Sequence, residues 1–237
     1  MKHTTATMTT TTSNTTIELQ PRAELPAKLL TYAGLHDAIL RDLDRLERGA
    51  AEGARTPSTI DGAALTRWWE RFERSIVHHH EREDDMVFPL LVQRGATIDP
   101  ILTEDHHELD RLMAVAGQRV VAVRDHRDSG AAAALGDSVD ALAVHMAHHL
   151  GREEAAVFPA YDALLSDQDS SELEDAMRKG MSFKDIAFEA PWVLDHAHPR
   201  IESFIDAEVP VVLRFMIHRV WRRRYVSLAA PVLAGAR

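Results

Sequence analysis

The sequence has 237 residues, of which 45% are hydrophobic, enough for one sizeable core and too few for a multidomain enzyme. A formal net charge of −10 argues against a general affinity for nucleic acid, which requires a basic surface. The chain has no cysteine. This excludes disulfides, thiolate metal sites and iron–sulfur clusters, so any bound metal must be held by histidine and carboxylate side chains.

The first 26 residues are rich in threonine and lack the apolar core of a secretory signal. We expect residues 1–26 to form a disordered tail. No apolar run approaches the roughly 20 residues that are needed to cross a bilayer. A soluble, cytoplasmic protein is therefore expected.

Four long helices are predicted from the spacing of the apolar residues. Gly49 ends the first of them, and Ser58 with Asp61 resembles a capping box at the start of the second. Asp99, followed by proline, is a good cap for the third, which Gly130 ends. The predicted ranges are 27–48, 57–91, 99–127 and 131–165.

Beyond residue 166 the pattern breaks into shorter helical pieces. Ser170 and Ser171 can cap a helix that stops near Gly180, and several prolines follow. The segment 211–225 is basic; we expect its apolar face to pack against the bundle, and the alternative is contact with an anionic membrane or a partner. The predicted fold is all-α: an up-and-down four-helix bundle over 27–166 with a C-terminal helical extension over 167–237.

The sequence repeats itself at an offset of 70 residues. Three potential metal ligands recur at this shift, and so do an Arg-Glu pair and a Val-Phe-Pro marker. A shared offset for all of these is difficult to explain by helical periodicity alone. The paired ligands are His36 with His106, His79 with His149, and Glu83 with Glu153.

The spacing within each copy has a direct structural meaning. Residues four apart on a helix project from the same face, so His79 and Glu83 can reach one point together, as can His149 and Glu153. In a bundle, each pair of helices would add one lone histidine and one His-x-x-x-Glu pair to a common interior point. Four imidazoles and two carboxylates without thiolate suit iron or manganese, and a carboxylate can bridge two metals.

Some assignments stay open at this stage. His145 lies one turn before His149 and is a further candidate ligand that would make the two halves unequal. Within the histidine runs, His80 could replace His79 as the ligand, and His107 could replace His106. The 70-residue repeat favours His79 and His106. Under that assignment His78, His80, His107 and His148 are surface groups or orient the ligands. Tyr32, one turn before His36, is a candidate proton donor or ligand.

Over residues 27–165 the chain resembles the hemerythrin-like, or HHE cation-binding, domain, in its actinobacterial type with a C-terminal helical extension. The resemblance rests on the order His, His-x-x-x-Glu, His, His-x-x-x-Glu and on the Phe-Pro endings. It implies two iron ions with an oxo or hydroxo bridge. Oxygen carriers of the family use an additional histidine pair on the third helix, where this chain has Leu102 and Asp110 around His106. Simple oxygen transport is therefore disfavoured.

Three functions remain in competition. The first is a module that binds or senses oxygen, nitric oxide, peroxide or iron in redox signalling or stress response. The second is a di-iron enzyme that decomposes hydrogen peroxide, for which Tyr32 would supply a proton. The third is a structural or storage site for zinc or another divalent ion, which the paired carboxylates make less fitting.

Overall fold

The structure, a computed structural model, describes residues 10–12, 15–17 and 19–233. Two short strands, β1 (Thr10–Thr12) and β2 (Thr15–Ile17), pair antiparallel, and the rest of the described chain is helices and loops. The predicted all-α fold is confirmed. The long helices of the bundle are α1 (Leu30–Arg55), α2 (Gly62–Arg82), α4 (Ile101–His126) and α5 (Ser129–Leu164), with a short α3 (Phe88–Gln93) after α2.

Helix α1 follows a 3₁₀ turn at Ala27–Leu29 and continues past Gly49. The prediction that Gly49 ends the helix is wrong. A glycine inside a helix costs only about 1 kcal/mol, and the residues beyond it are held by packing. Gly53 fits so closely under Ile60 that a Cβ atom there would lie 2.8 Å from the isoleucine side chain.

Helix α2 begins one turn later than predicted. Pro57–Thr59 forms a separate 3₁₀ turn, and Asp61, rather than Ser58, caps the helix by accepting a hydrogen bond from the Ala64 amide at 2.9 Å. Asp61 is followed by Gly62, where a Cβ atom would lie 2.5 Å from the Arg124 backbone. The close approach of α2 and α4 at this end therefore requires glycine.

The helix predicted to run unbroken to residue 91 contains a π-helical segment, Glu83–Val87, before α3. There the Phe88 amide donates to the Glu83 carbonyl, five residues earlier. Pro89 has no amide hydrogen to continue the α-helical ladder, and its ring disfavours the regular turn. The widened turn starts at a candidate metal ligand, a common position for such segments.

Asp99 accepts a hydrogen bond from the Ile101 amide at 3.0 Å, at the predicted start of the third long helix. That helix ends at His126, one residue before the predicted end, but the break lies at Arg127 and not at Gly130. Arg127 adopts a left-handed conformation with φ of 52°, and Asp128 then caps α5 through the Ala131 amide at 2.7 Å. Gly130 consequently lies in the first turn of α5.

In the bundle, α1 packs against α5, α5 against α4, and α4 against α2. The interior between them is filled by large apolar side chains that are almost entirely buried, among them Leu43, Trp68, Phe72, Ile76, Leu109, Val139, Leu142, Met146 and Leu150.

The C-terminal extension comprises five helices and a second π-helical segment. Helix α7 contacts both α1 and α2, and its Trp192 is buried in the bundle core against Phe72. The predicted division after residue 166 coincides with a break between helices, but the two parts share one hydrophobic core. The elements are α6 (Asp167–Lys179), α7 (Phe183–Val193), α8 (Pro199–Glu208), α9 (Val211–Phe215), the π segment Met216–Trp221 and α10 (Arg222–Ala229).

A buried carboxylate joins the extension to the bundle. Asp42 of α1 accepts hydrogen bonds from Arg45 at 3.1 Å, from the Trp192 indole at 2.9 Å and from the Tyr225 hydroxyl at 3.2 Å. Arg45 also pairs with Asp195 at 2.8 Å. Because these groups are removed from water, their mutual pairing is required for burial.

The expected disordered tail, 1–26, falls partly on residues outside those that the structure describes. For 19–26 the expectation is wrong, because this stretch packs on the bundle. Leu25 is buried, and the Gln20 amide and the Arg22 guanidinium both bond to the Glu154 carboxylate at 2.8 Å.

The basic segment near the C-terminus buries part of its apolar face. Ile217, Trp221 and Tyr225 are buried, whereas Val211, Val212 and Phe215 are exposed. Within the described residues, no helix is both long and apolar enough to span a bilayer.

Candidate metal centre

The structure brings the six repeat-derived residues to one place in the middle of the bundle. His36 comes from α1, His79 from α2 and His106 from α4, while His149 and Glu153 come from α5. The sixth, Glu83, opens the π-helical segment. All six are buried.

Two groups of potential metal donors form there. In each group one donor atom from every residue lies within 4.8 Å of the others. One member is common to both groups, so the two points of convergence are adjacent. The first group is His36, His79, Glu83 and Glu153; the second group is His80, Glu83, His106 and His149.

Glu83 spans the two groups with its two oxygens. Its Oε1 lies 3.0 Å from His79 Nε2, and its Oε2 lies 3.3 Å from His106 Nε2. A carboxylate placed in this way can give one oxygen to each of two metals.

Glu153 is also shared, and it contacts a phenol. Its Oε2 lies 3.6 Å from His36 Nε2 and 3.5 Å from His149 Nε2, one histidine from each group. Its Oε1 is hydrogen-bonded to the Tyr32 hydroxyl, which also donates to Glu83 Oε1 at 2.7 Å. Tyr32 therefore reaches the centre from α1, as its position before His36 suggested.

Several of the donor atoms at this centre are buried without hydrogen-bond partners in the described structure. Buried polar atoms are normally satisfied, since leaving one unpaired costs about 1–3 kcal/mol. Imidazole nitrogens and carboxylate oxygens that converge without partners fit a metal-binding site. The unpartnered atoms are Nε2 of His36, His79 and His106, both ring nitrogens of His80 and His149, and Oε2 of Glu83 and Glu153.

Carboxylates behind the centre orient two of the histidines. His36 Nδ1 lies 2.9 Å from Glu154, and His106 Nδ1 lies 2.8 Å from Asp84. Such contacts fix the ring and the tautomer and direct the other nitrogen toward a metal. Each of these carboxylates directly follows a glutamate of the centre, so the pair obeys the 70-residue repeat. The sequence interpretation did not use this signal.

His145 is placed outside both groups. Its Nε2 lies 3.5 Å from Asp105 Oδ1, and the side chain is 30% exposed. Asp105 in turn lies 3.5 Å from His149 Nδ1 and is held by Arg152. His145 therefore belongs to the surroundings of a ligand, and not to the donor groups where it was a candidate.

His80 was assigned to the surface or to an orienting role, and the structure places it in the second donor group. It is 4% exposed and stacks on His106 with ring centroids 4.2 Å apart. Its counterpart in the repeat is Leu150, so the offset gave no signal. His78, His107 and His148 lie outside both groups.

The electrostatics of the centre reflect its burial. Burial and the neighbouring imidazoles lower the pKa of His79 and of His80 well below the usual value, and they lower that of His149 to about 2. Neutral imidazole is the form that binds a metal. Burial and the Glu83 carboxylate raise the pKa of Glu153.

His106 is the exception among the histidines. Burial lowers its pKa, but the carboxylates of Glu83 and Asp84 together outweigh burial and raise it to about 9. Glu154 lies behind His36, the other lone histidine. Hydrogen bonds from His36 and Arg22 outweigh the effect of burial and lower the pKa of Glu154 to about 2.

Comparison with known proteins agrees with this geometry. The family model described as the hemerythrin HHE cation binding domain matches residues 31–161, and matches again over 97–179. These matches include both copies of the ligand pattern and more than half of the chain. No curated protein and no solved structure matches the sequence. The chain belongs to the hemerythrin HHE cation-binding family, and its buried histidine and glutamate groups form a candidate cation site.

Proposed function

We propose that the protein is a non-haem di-iron protein that binds oxygen, nitric oxide or peroxide at a carboxylate-bridged iron pair. The observation that supports this most directly is the sharing of Glu83 between two donor groups, with Glu153 also lying between histidines of both. A single structural zinc ion would need only one such group. Imidazole and carboxylate ligands without thiolate suit iron.

The two groups are unequal, which favours ligand binding at one of them. The second group has three imidazoles, because His80 joins His106 and His149, whereas the first has only His36 and His79. A metal in the first group would have fewer nitrogen ligands. A small ligand that bound at this group would lie beside the Tyr32 hydroxyl, which contacts Glu83 and Glu153 of the same group.

When bound, ferrous iron supplies the electrons for reduction of oxygen or peroxide. The protein would hold the ligands in place, exclude water from them and provide a proton from Tyr32. Phe158 stacks on His36 at 5.8 Å and Phe88 on His106 at 6.0 Å, so apolar rings cover two ligands. Burial and the carboxylates of Glu153 and Glu83 raise the pKa of Tyr32 well above 10, which keeps its proton on the hydroxyl oxygen.

We place this activity in the cytoplasm, in redox or gas sensing or in the response to oxidative stress. The extension supports a sensing role, because α7 packs directly against α1 and α2, which provide ligands. A change at the centre could thus be passed to the protein surface and to a partner. The charge of −10 disfavours nucleic acid as that partner.

A second candidate function is the decomposition of hydrogen peroxide. It is favoured by one observation, the Tyr32 hydroxyl bonded to both shared glutamates. A phenol held there can give a proton to an oxygen atom that leaves as water.

Metal analysis of the purified protein, combined with optical spectra of reduced, oxidised and peroxide-treated samples, tests the proposal. Two irons per chain and visible absorption that changes with the ligand are expected. One zinc per chain without visible absorption would refute the di-iron proposal. Loss of added peroxide at the rate of the buffer alone would remove the enzyme alternative.

Replacing one candidate ligand tests whether the histidines have been assigned correctly. The His79→Ala variant should lose the metal of the first group, because the His79 Nε2 atom lies there beside Glu83. The exposed His107 provides the matched control, and His107→Ala should retain the metal content of the unmodified protein. Full metal content in His79→Ala would show that the assignment of ligands is mistaken.

A further inference from the structure

A cavity of about 280 Å³ lies between the bundle and the C-terminal extension. Its inner wall includes Tyr32, His79 and Glu83, all at the two-histidine side of the candidate metal centre. Its other walls come from α6, α7, α8 and the segment that follows α8. Met177 of α6 and Ala190 of α7 are among the residues that line it. The extension therefore adds walls to a space that the bundle alone would leave more exposed, and one side of this space remains open to solvent.

The cavity is larger than a diatomic ligand or peroxide requires. A single water needs roughly 10–15 Å³ of such space, whereas organic ligands occupy pockets from about 300 Å³ upward. The available volume is close to the lower end of that range. A cavity of this volume can hold a small organic molecule.

The walls are mainly hydrocarbon. The side chains that separate the charged residues are aliphatic, thioether or aromatic: Leu35, Val87, Met177, Ile186, Val193 and Phe204. Burial of alkyl groups against such a surface is favourable by about 25 cal/mol per Å² of area that is removed from water. An apolar ligand gains most from this environment.

Charged residues of both signs contribute to the lining of the cavity. Besides the glutamate of the metal centre, three bases and three acids contribute to the lining: Lys28, Arg82, Arg178, Glu174, Glu189 and Glu208. Lys28 is also engaged with Asp162 at 3.1 Å. With Glu83 the lining holds four acids and three bases, and a charged group placed on its hydrocarbon surface would lose hydration, which disfavours an ionic ligand.

We propose that this cavity binds an uncharged, medium-chain alkyl compound, such as an alcohol, with one end against Tyr32, His79 and Glu83. The proposal rests on the proposed function only in placing that end beside a metal. Binding itself depends on the cavity, so it can be measured separately from iron content and from reactivity with oxygen or peroxide.

The first experiment is calorimetric titration of the full-length protein, as purified, with 1-hexanol, 1-octanol and 1-decanol. We expect affinity to rise about fourfold for each added CH₂ until the chain fills the cavity. We also expect a negative heat-capacity change, which marks burial of apolar surface. Absence of binding for all three alcohols would overturn the proposal.

A filled cavity provides the control for site. Ala190→Phe places a ring in the cavity and should weaken octanol binding by at least tenfold, whereas Ala51→Phe on the exposed face of α1 should leave it unchanged. If Ala190→Phe does not fold, as judged by circular dichroism, Met177→Trp fills the same space. Octanol affinity that survives in a folded cavity-filling variant would refute the site.

The class of ligand is tested with octanoate and octylammonium. Both should bind more weakly than 1-octanol, and tighter binding of either ion would show that the ligand class is wrong. Contact with the centre has its own readout: in protein that contains iron, octanol should shift the optical spectrum. Binding without any spectral shift would contradict the placement beside His79 and Glu83, and an iron-free preparation would instead count against the proposed function.

Discussion

His79 and His80 are consecutive residues, yet both side chains point into the bundle, where each joins a different donor group. The sequence identified His79 because its partner His149 stands 70 residues later. It could not identify His80 in the same way, since the equivalent position is Leu150. Adjacent residues on a helix are also about 100° apart, so the run of three histidines did not reveal that two of them face inward.

Replacing His80 tests whether it acts as a ligand. In His80→Ala the second group retains only two imidazoles, so we expect iron content to fall from two toward one per chain and the visible spectrum to change. Elemental analysis and absorption spectroscopy measure both effects. His145→Ala is the control, because that side chain contacts Asp105 outside the groups. Two irons and an unaltered spectrum in His80→Ala would contradict the assignment.

The pKa of His106 leads to a prediction about protons. In the metal-free protein this pKa is about 9, so the ring is protonated at pH 7 and must lose its proton before it can bind a metal. Loading with Fe²⁺ should therefore release protons at pH 7, and less as the pH rises through 9.

Titration of weakly buffered, metal-free protein with anaerobic Fe²⁺ measures this release. The same titration without protein corrects for the acidity of the added salt. A release that is absent at pH 7, or that grows between pH 8 and 10, would show that His106 is not held in its protonated form.

At the scale of elements, the sequence predicted the long helices well and their ends poorly. Gly49 and Gly130 were taken as breaks, but both lie within helices, because packing and capping elsewhere outweigh the roughly 1 kcal/mol cost of a helical glycine. The cap of α2 moved from Ser58 to Asp61 for a similar reason, since the close contact at Gly62 fixes where the helix starts. Such long-range contacts leave no local pattern.

The attachment of the extension to α1 depends on Asp42. Replacing it by alanine leaves the Trp192 indole without its buried acceptor and leaves Arg45 and Tyr225 with Asp195 alone. Loss of one partner from a buried ion pair typically costs about 3–5 kcal/mol. We expect Asp42→Ala to lower the free energy of unfolding by about that amount in urea denaturation. Asp44→Ala, at an exposed position two residues later, should change it by less than about 1 kcal/mol. Equal effects of the two substitutions would exclude this role for Asp42.

At the scale of the whole molecule, the sequence predicted a bundle with a C-terminal extension whose segment 211–225 packs against it, and the structure shows that the two parts share a hydrophobic cluster. Phe188, Trp192 and Tyr225 of the extension lie in the same hydrophobic cluster as Trp68 and Phe72 of the bundle. The apolar spacing of the short C-terminal helices indicated that they are helical. It could not indicate that α7 packs against both α1 and α2, because that arrangement depends on the full three-dimensional fold.

The stability of the whole molecule should depend on its metal. Without it, five buried imidazoles and two carboxylates keep donor atoms that have no partner in the described structure, and each such group is unfavourable by about 1–3 kcal/mol. Iron loading should raise Tm by more than about 5 °C, since 1 kcal/mol corresponds to roughly 2–4 °C for a chain of this size. Thermal unfolding with and without a chelator measures the difference. Coincident transitions would show that the centre is stable when empty.

The repeat within the centre has a mechanical consequence. Glu83 reaches His106 of the second copy, and Glu153 reaches His36 of the first. The orienting carboxylates cross over in the same way, from Asp84 to His106 and from Glu154 to His36. Neither copy therefore contains a complete set of ligands. Two irons held here would act as a non-covalent crosslink between the halves of the chain, holding them together even if the exposed connection between α3 and α4 were cut.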